Sequence, residues 1–293
     1  MKLPIVIISY KSITLLDQFL SNLGKDRDIF VIENSDQIEL KEQIEKKFKN
    51  CKVIINNKNL GYGKAANIGF KEIKDKYAFV LEPDIKINEN QLLEIENEVS
   101  NCDEDFALAT PLYKDLIDFN KNNEFDKDFS EINLDMNSNE TKTKIDLIKG
   151  CSLIVNLDKF KDKYVFDENF FFFFEDIDLC KRIKIMKENI FVFNKIKIIH
   201  EGAKGVNPNI SQNYSDFRHW NFFWAKFYYF KKHYGYFYAL LKHFGKLIRF
   251  PFNCLRYYFI SDAEYRKNKY RFLGLLNSVC FKESSLSKTI LEK

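Results

Sequence analysis

Apolar and polar positions along the first 110 residues switch between two periods. Four short, mostly apolar runs (Leu3 to Ile8, Asp28 to Ile32, Lys52 to Ile55 and Tyr77 to Leu81) read as strands buried on both faces. Between them, Ser12 to Leu23, Ile38 to Phe48 and Lys64 to Ile73 carry apolar residues at helical spacing. Strands alternating with helices predict βαβ units and an α/β fold, with helices on both faces of the sheet. Residues 114–146 are rich in Asp, Asn, Lys and Glu with weak periodicity, and read as a long surface excursion. Order resumes at Ile148 to Val155. Five consecutive phenylalanines, Phe170 to Phe174, then lead into a helix from Glu175 to about Lys187, and a strand follows from Ile190 to Ile199. The C-terminal part is helical in pattern. Phe237, Leu240, Leu241, Phe244, Leu247 and Ile248 share one face, Lys242, Lys246 and Arg249 lie opposite, and Pro251 closes the segment.

Composition changes this picture little. At 293 residues, 45% apolar and 30% charged, the chain can bury a sizeable core and is no disordered tail. Its six cysteines are scattered without a C-x-x-C pair, which argues against a zinc ribbon and fits free thiols in a reducing compartment. No secretory leader and no apolar run of membrane-spanning length is expected. Charge is more informative. Residues 217–272 carry twelve Lys or Arg and two acids, a net +10, whereas residues 1–216 carry −7. A basic, aromatic tail on an acidic body suggests an anionic partner, membrane or nucleic acid.

In open α/β sheets ligands bind beyond the carboxyl ends of the strands, and the unusual polar residues fall there. Ser9-Tyr10 follow the first strand, Glu33-Asn34-Ser35-Asp36 the second, Asn59 to Asn67 the third, and Glu82-Pro83-Asp84 the fourth. Gly61 and Gly63 precede a helix whose free N–H groups and Lys64 could meet a phosphate, or they simply make a tight turn. Glu82 and Asp84, spaced by a rigid proline, offer oxygen ligands to a hard divalent cation, or form a solvated turn. Glu175, Asp176 and Asp178 open a helix, where the dipole favours acids. The adjoining phenylalanine wall would also desolvate a carboxylate and make it a better general base. His200 ends a strand from which a neutral imidazole could reach a metal, although a lone histidine is more often structural.

Taken together the motifs resemble family 2 glycosyltransferases, in particular the rhamnosyltransferase-like branch. The matching pieces are Val6-Ile7-Ile8-Ser9-Tyr10, Ile32-Glu33-Asn34-Ser35, and the stretch from Asn59 to Gly69 with its glycines and Asn67. Glu82-Pro83-Asp84, Gly150-Cys151, Phe174-Glu175-Asp176-Ile177-Asp178-Leu179-Cys180 and His200-Glu201-Gly202 complete the series, in order over residues 3–205. The resemblance implies a GT-A mixed sheet over residues 1–205, and an inverting transfer from a nucleoside-diphosphate sugar, dTDP-rhamnose or a UDP-hexose. The acceptor would be a hydroxyl of a cell-surface glycan or lipid-linked oligosaccharide, in bacterial polysaccharide synthesis. It implies Asp176 as catalytic base with Glu175 beside it, and Asp84 and His200 at a Mg²⁺ or Mn²⁺ ion. Ser9, Tyr10, Glu33, Asn34, Asn59, Gly61, Lys64, Asn67, Glu82 and Asp178 would surround the nucleotide sugar. Glu82, standing where the family pattern has an aspartate, is the weaker metal ligand of its motif. Residues 206–293 would form a helical segment that docks on the inner face of the cytoplasmic membrane. A sugar nucleotidyltransferase is the enzymatic rival, but it would carry a Gly-rich basic loop after the first strand. A nucleic-acid-binding protein using the basic tail is the non-enzymatic rival, but it has no use for the acidic crevice. No nucleic-acid partner is therefore expected.

Overall fold

The structure is a computed structural model describing residues 1–24, 26–121, 125–202 and 211–284, with 211–213 described by their backbone. The chain forms two compact units, Met1–Asp167 with Asp176–Gly205, and Glu168–Glu175 with Val206–Lys293. The boundary expected at residue 205 lies outside the described residues.

The first unit opens with β1 (Ile5–Ser9), α1 (Ile13–Ser21), β2 (Ile29–Glu33), α2 (Ile38–Lys47), β3 (Cys51–Ile55), α3 (Tyr62–Glu72) and β4 (Tyr77–Leu81). The expected boundaries hold to within two residues. Next come β5 (Ile85–Lys86), α4 (Glu89–Asn101), β6 (Leu108–Leu112), α5 (Lys114–Lys121), β7 (Lys142–Lys144) and β8 (Ser152–Asn156). The unit ends with α6 (Glu175–Met186), β9 (Ile190–Lys197) and β10 (Ile199–His200). Among the described residues the main sheet has eight strands in the order β3-β2-β1-β4-β8-β6-β9-β7. The first four are parallel, as crossover helices require. β8 runs antiparallel to both β4 and β6, so the sheet is mixed. Ile5, Val6, Val31, Phe79 and Leu153 are buried in its core.

The segment expected as a surface excursion is more ordered than its polar composition suggested. It contributes α5 and the edge strand β7, and it buries Leu116, Asn120, Phe129 and Ile145. A sparse set of apolar anchors, too irregular to show a period, is enough to pin it.

One irregularity positions the site. Pro111 stands inside β6, where it cannot donate to the ladder. The register with β9 jumps there, from Pro111 opposite Phe193 to Leu112 opposite Lys197. The strand expected as one piece from 190 to 199 ends at Lys197, and β10 leaves the main sheet to pair antiparallel with β5, setting His200 opposite Ile85.

The second unit holds α7 (Ser211–Tyr234), α8 (Tyr236–Tyr257) and α9 (Asp262–Val279). The five phenylalanines belong to it. Phe170 packs edge-on against Tyr228, Phe171 against Phe217, and Phe174 against Phe222 and Tyr229. The run therefore serves as an apolar anchor for α7, which its composition could not distinguish from a wall beside the acids. Pro251 does not close α8 but lies within it. The ring removes one backbone N–H from the helix just after buried Phe250, and the inner face of the preceding turns, Ala239, His243 and Phe250, is buried.

Candidate active site

The short β5–β10 ladder brings together three groups from two distant parts of the chain. Glu82 follows β4, Asp84 precedes β5, and His200 ends β10. The Asp84 carbonyl accepts from the Glu201 N–H at 3.1 Å, closing the ladder. His200 Nε2 lies 3.4 Å from Asp84 Oδ2 and 3.9 Å from Glu82 Oε2. One ligand atom from each residue falls within 4.8 Å of the others, a spacing that can hold a metal ion. The chemistry of the set fits a cation. Asp84 Oδ1 is buried with no hydrogen-bond partner, and burial followed by the charge of Asp84 raises Glu82 to about 7. Two carboxylates crowded this way are relieved by positive charge. In the structure His200 supplies it: pairing with Asp84, then the carboxylates of Asp115 and Glu82, lift its pKa to about 9.

Asp176 is the second residue of α6 and is half-buried. Its carboxylate accepts from the Ile177 N–H at 2.8 Å and from the Gly150 N–H. Desolvation nevertheless dominates and raises its pKa. Its charge also acts on Glu82, and the ammonium of Lys149 acts on both acids. Base candidate and metal cluster thus share one electrostatic site. The chain enters α6 through Phe173 and Phe174, both in left-handed backbone conformation (φ 70° and 67°), a strained arrangement for bulky residues.

The expected nucleotide-side residues separate into two groups. Ser9, Tyr10, Glu33, Asn59, Gly61 and Lys64 lie at strand tips β1, β2 and β3 or at the start of α3. Ser9 Oγ and Glu33 Oε2 are buried without partners, so both retain capacity for a ligand. The other Glu33 oxygen accepts from the Lys11 N–H and the Ser35 hydroxyl. Gly61, at φ 85°, lets the chain turn into α3 in a conformation that a side chain would strain. Asn34, Asn67 and Asp178, by contrast, are committed to the fold. The Asn34 amide donates to Asn59 and to the Gly61 carbonyl and accepts from Asn56 and Leu60, knitting the loop after β3. Asn67 is fully buried and clamps the backbone of Val165 and Phe166 from both ends of its amide. Asp178 is fully buried and accepts from Arg182 Nε at 2.9 Å. These three were expected near the donor. Asn34 ties the tip of β2 to the loop before α3, Asn67 ties α3 to residues about a hundred positions away, and Asp178 pairs one turn along α6.

The profile of glycosyl transferase family 2 matches residues 5–162, more than half of the chain. The chain belongs to glycosyl transferase family 2. Structural likeness agrees. The mannosyltransferase PcManGT from Pyrobaculum calidifontis, solved with GDP-Man and Mn²⁺, superposes with a TM-score of 0.58 at 10% identity, over 96% of this chain and 88% of that one. GalNAc-T7, solved with UDP, GalNAc and Mn²⁺, gives 0.56 at 11% identity, over 96% of this chain and 57% of that one. S. aureus TarS 1-349 with UDP gives 0.51 at 14% identity, over 96% and 92%. The fold is thus the GT-A fold of glycosyltransferases. A comparison of the sequence with curated proteins returns no match.

Two residues of this family 2 glycosyltransferase escaped sequence reasoning. Asp115, in α5, places Oδ2 2.9 Å from His200 Nδ1 and so fixes the ring with Nε2 toward Glu82 and Asp84. It sits in the segment read as excursion, and no local pattern marks it. Lys149 lies 3.9 Å from Asp115 and bears on both Glu82 and Asp176. Its neighbours Gly150 and Cys151 were noted, but only the fold turns its ammonium to the acids.

Proposed function

We propose that this glycosyltransferase moves a sugar from a nucleoside-diphosphate sugar, dTDP-rhamnose or a UDP-hexose, to a hydroxyl of a cell-surface glycan or lipid-linked oligosaccharide, with inversion at the anomeric carbon. The observation that carries the reading is the single electrostatic site made by Glu82, Asp84 and His200 with Asp176. Asp84 and His200, with Glu82 beside them, hold a divalent cation, Mg²⁺ or Mn²⁺. This is supported by the orphaned Asp84 oxygen and by the Mn²⁺ in PcManGT and GalNAc-T7. Such an ion, when bound, offsets the charge that grows on a diphosphate leaving group.

The chain's own groups supply the remainder. The tips of β1 and β2, with the loop into α3, receive the nucleotide through Ser9, Tyr10, Glu33, Asn59 and Gly61. Lys64, in the first turn of α3, adds a cation at a helix N-terminus. Asp176, kept basic by desolvation, takes the proton from the acceptor hydroxyl as it attacks opposite the leaving group. Glu175 precedes it on α6. The Lys149 ammonium limits the charge that these acids accumulate. The rhamnosyltransferase-like assignment rests on the motif order and on nothing in the site geometry.

The test is Asp176→Asn, assayed with a panel of nucleotide sugars. Transfer is lost by at least about 100-fold, the range for removal of a general base, while the thermal shift produced by nucleoside diphosphate persists. Full turnover by the variant would remove Asp176 from the mechanism.

A further inference from the structure

The helical unit exposes an apolar surface that the sugar chemistry does not use. Along α8, Phe237, Leu241, Phe244, Ile248 and Leu255 are each 57–78% exposed. At about 100° per residue they fall within an arc of about 60°, a single stripe on the side away from buried Ala239, His243 and Phe250. Other exposed large apolar residues, such as Ile38, Leu93 and Ile199, are scattered singly, which is ordinary for a folded surface. A contiguous stripe along a helix of 22 residues, about 33 Å, is not ordinary.

Charge says what covers it. Between Gly235 and Ser261 there is no acidic residue and there are four bases. Lys242, Arg249 and Arg256 are exposed and line one flank of the stripe. Tyrosines stand at both ends of the helix, Tyr236 and Tyr238 at one and Tyr257 and Tyr258 at the other. No helix among the described residues is long and apolar enough to cross a membrane. A second copy of the chain, packed stripe to stripe, would bring these cationic flanks toward each other. An anionic lipid surface answers both features, taking the apolar side chains below the headgroups and the basic flank at their level.

We infer that α8 is an in-plane membrane anchor, docking the outer face of Phe237 to Leu255 onto a bilayer rich in anionic lipid. The assignment goes beyond the proposed transferase reading and does not depend on it.

The test uses the full chain and vesicles of phosphatidylcholine with about one third phosphatidylglycerol, where partition is governed by apolar burial and charge. Wild type co-sediments with these vesicles, more weakly with pure phosphatidylcholine, and more weakly at high salt. The triple variant L241S/I248S/L255S lowers binding at least about tenfold. Because the three side chains face outward, its melting temperature and circular dichroism match wild type. The flank variant K242Q/R249Q/R256Q loses the preference for anionic vesicles. No binding by wild type, or unchanged binding by the folded triple variant, overturns the inference. So does a wild-type dimer that the triple variant turns into a monomer while vesicles are ignored, since the stripe would then be a subunit contact.

Discussion

Replacing Asp115 with alanine removes the acceptor that stands 2.9 Å from His200 Nδ1. The imidazole then loses the contact that holds Nε2 toward Glu82 and Asp84. Losing such an outer carboxylate behind a metal-binding histidine typically weakens metal affinity about 10–100-fold, or roughly 1.4–2.7 kcal/mol. The structure places this case in the lower half of that range. The Asp115 side chain is 40% exposed, so water can take over part of its role and its charge is screened. The ring edge of Tyr113, 6.4 Å away between centroids, also flanks the imidazole. The expected loss is therefore about 10–30-fold, read by calorimetric titration of the protein with Mn²⁺. Asp115→Asn keeps an acceptor at the same reach and should stay within about threefold of wild type, since orientation rather than charge is at stake. His200→Ala sets the scale for complete loss of that ligand. If Asp115→Ala binds Mn²⁺ as tightly as wild type while His200→Ala does not, Asp115 does not position the ring.

Other outcomes follow from the same geometry. Chelation with EDTA should abolish transfer, and Mn²⁺ or Mg²⁺ should restore it; indifference to the chelator would remove the metal from the mechanism. Asp176 must be ionised to act as a base and its pKa is raised. The acidic limb of the rate profile should therefore lie above the ~3.9 of an ordinary aspartate, and a limb at that value would contradict the burial. A raised carboxyl pKa also means that the folded state keeps its proton longer, so stability falls as pH climbs from the unfolded-state pKa to the folded one. Asp176→Asn should accordingly melt no lower than wild type at neutral pH. Two glycine-to-alanine changes should have opposite signs in denaturant titrations. A Cβ at Gly274 in α9 would sit 2.1 Å from the Trp220 carbonyl oxygen, a backbone atom that cannot swing away, whereas Gly245 in α8 faces open space. Gly274→Ala should cost about 1–3 kcal/mol despite the better helix former. Gly245→Ala should gain roughly 0.5–1 kcal/mol.

Periodicity and residue type determined a good deal of this protein alone. The alternation of apolar runs and helical stripes was enough for the β1–β4 half of the sheet, because strands covered by helices on both faces need continuous apolar runs that few other structures use. Motif order was enough to bring out the family, and it singled out Glu82, Asp84 and His200, which the fold brings together. Contacts between segments distant along the chain were not legible. A buried asparagine and a ligand-facing asparagine look alike in a sequence, so Asn67, bonded to residues about a hundred positions away, could be placed only by folding. The phenylalanine run read as a wall for the acids until α7 was seen to claim its rings. Asp115 became visible only when β10 left the main sheet for β5 and set His200 within its reach. Local patterns encode which face of an element is buried, but which partner buries it, and which charges then meet, is set by the packing of the whole unit.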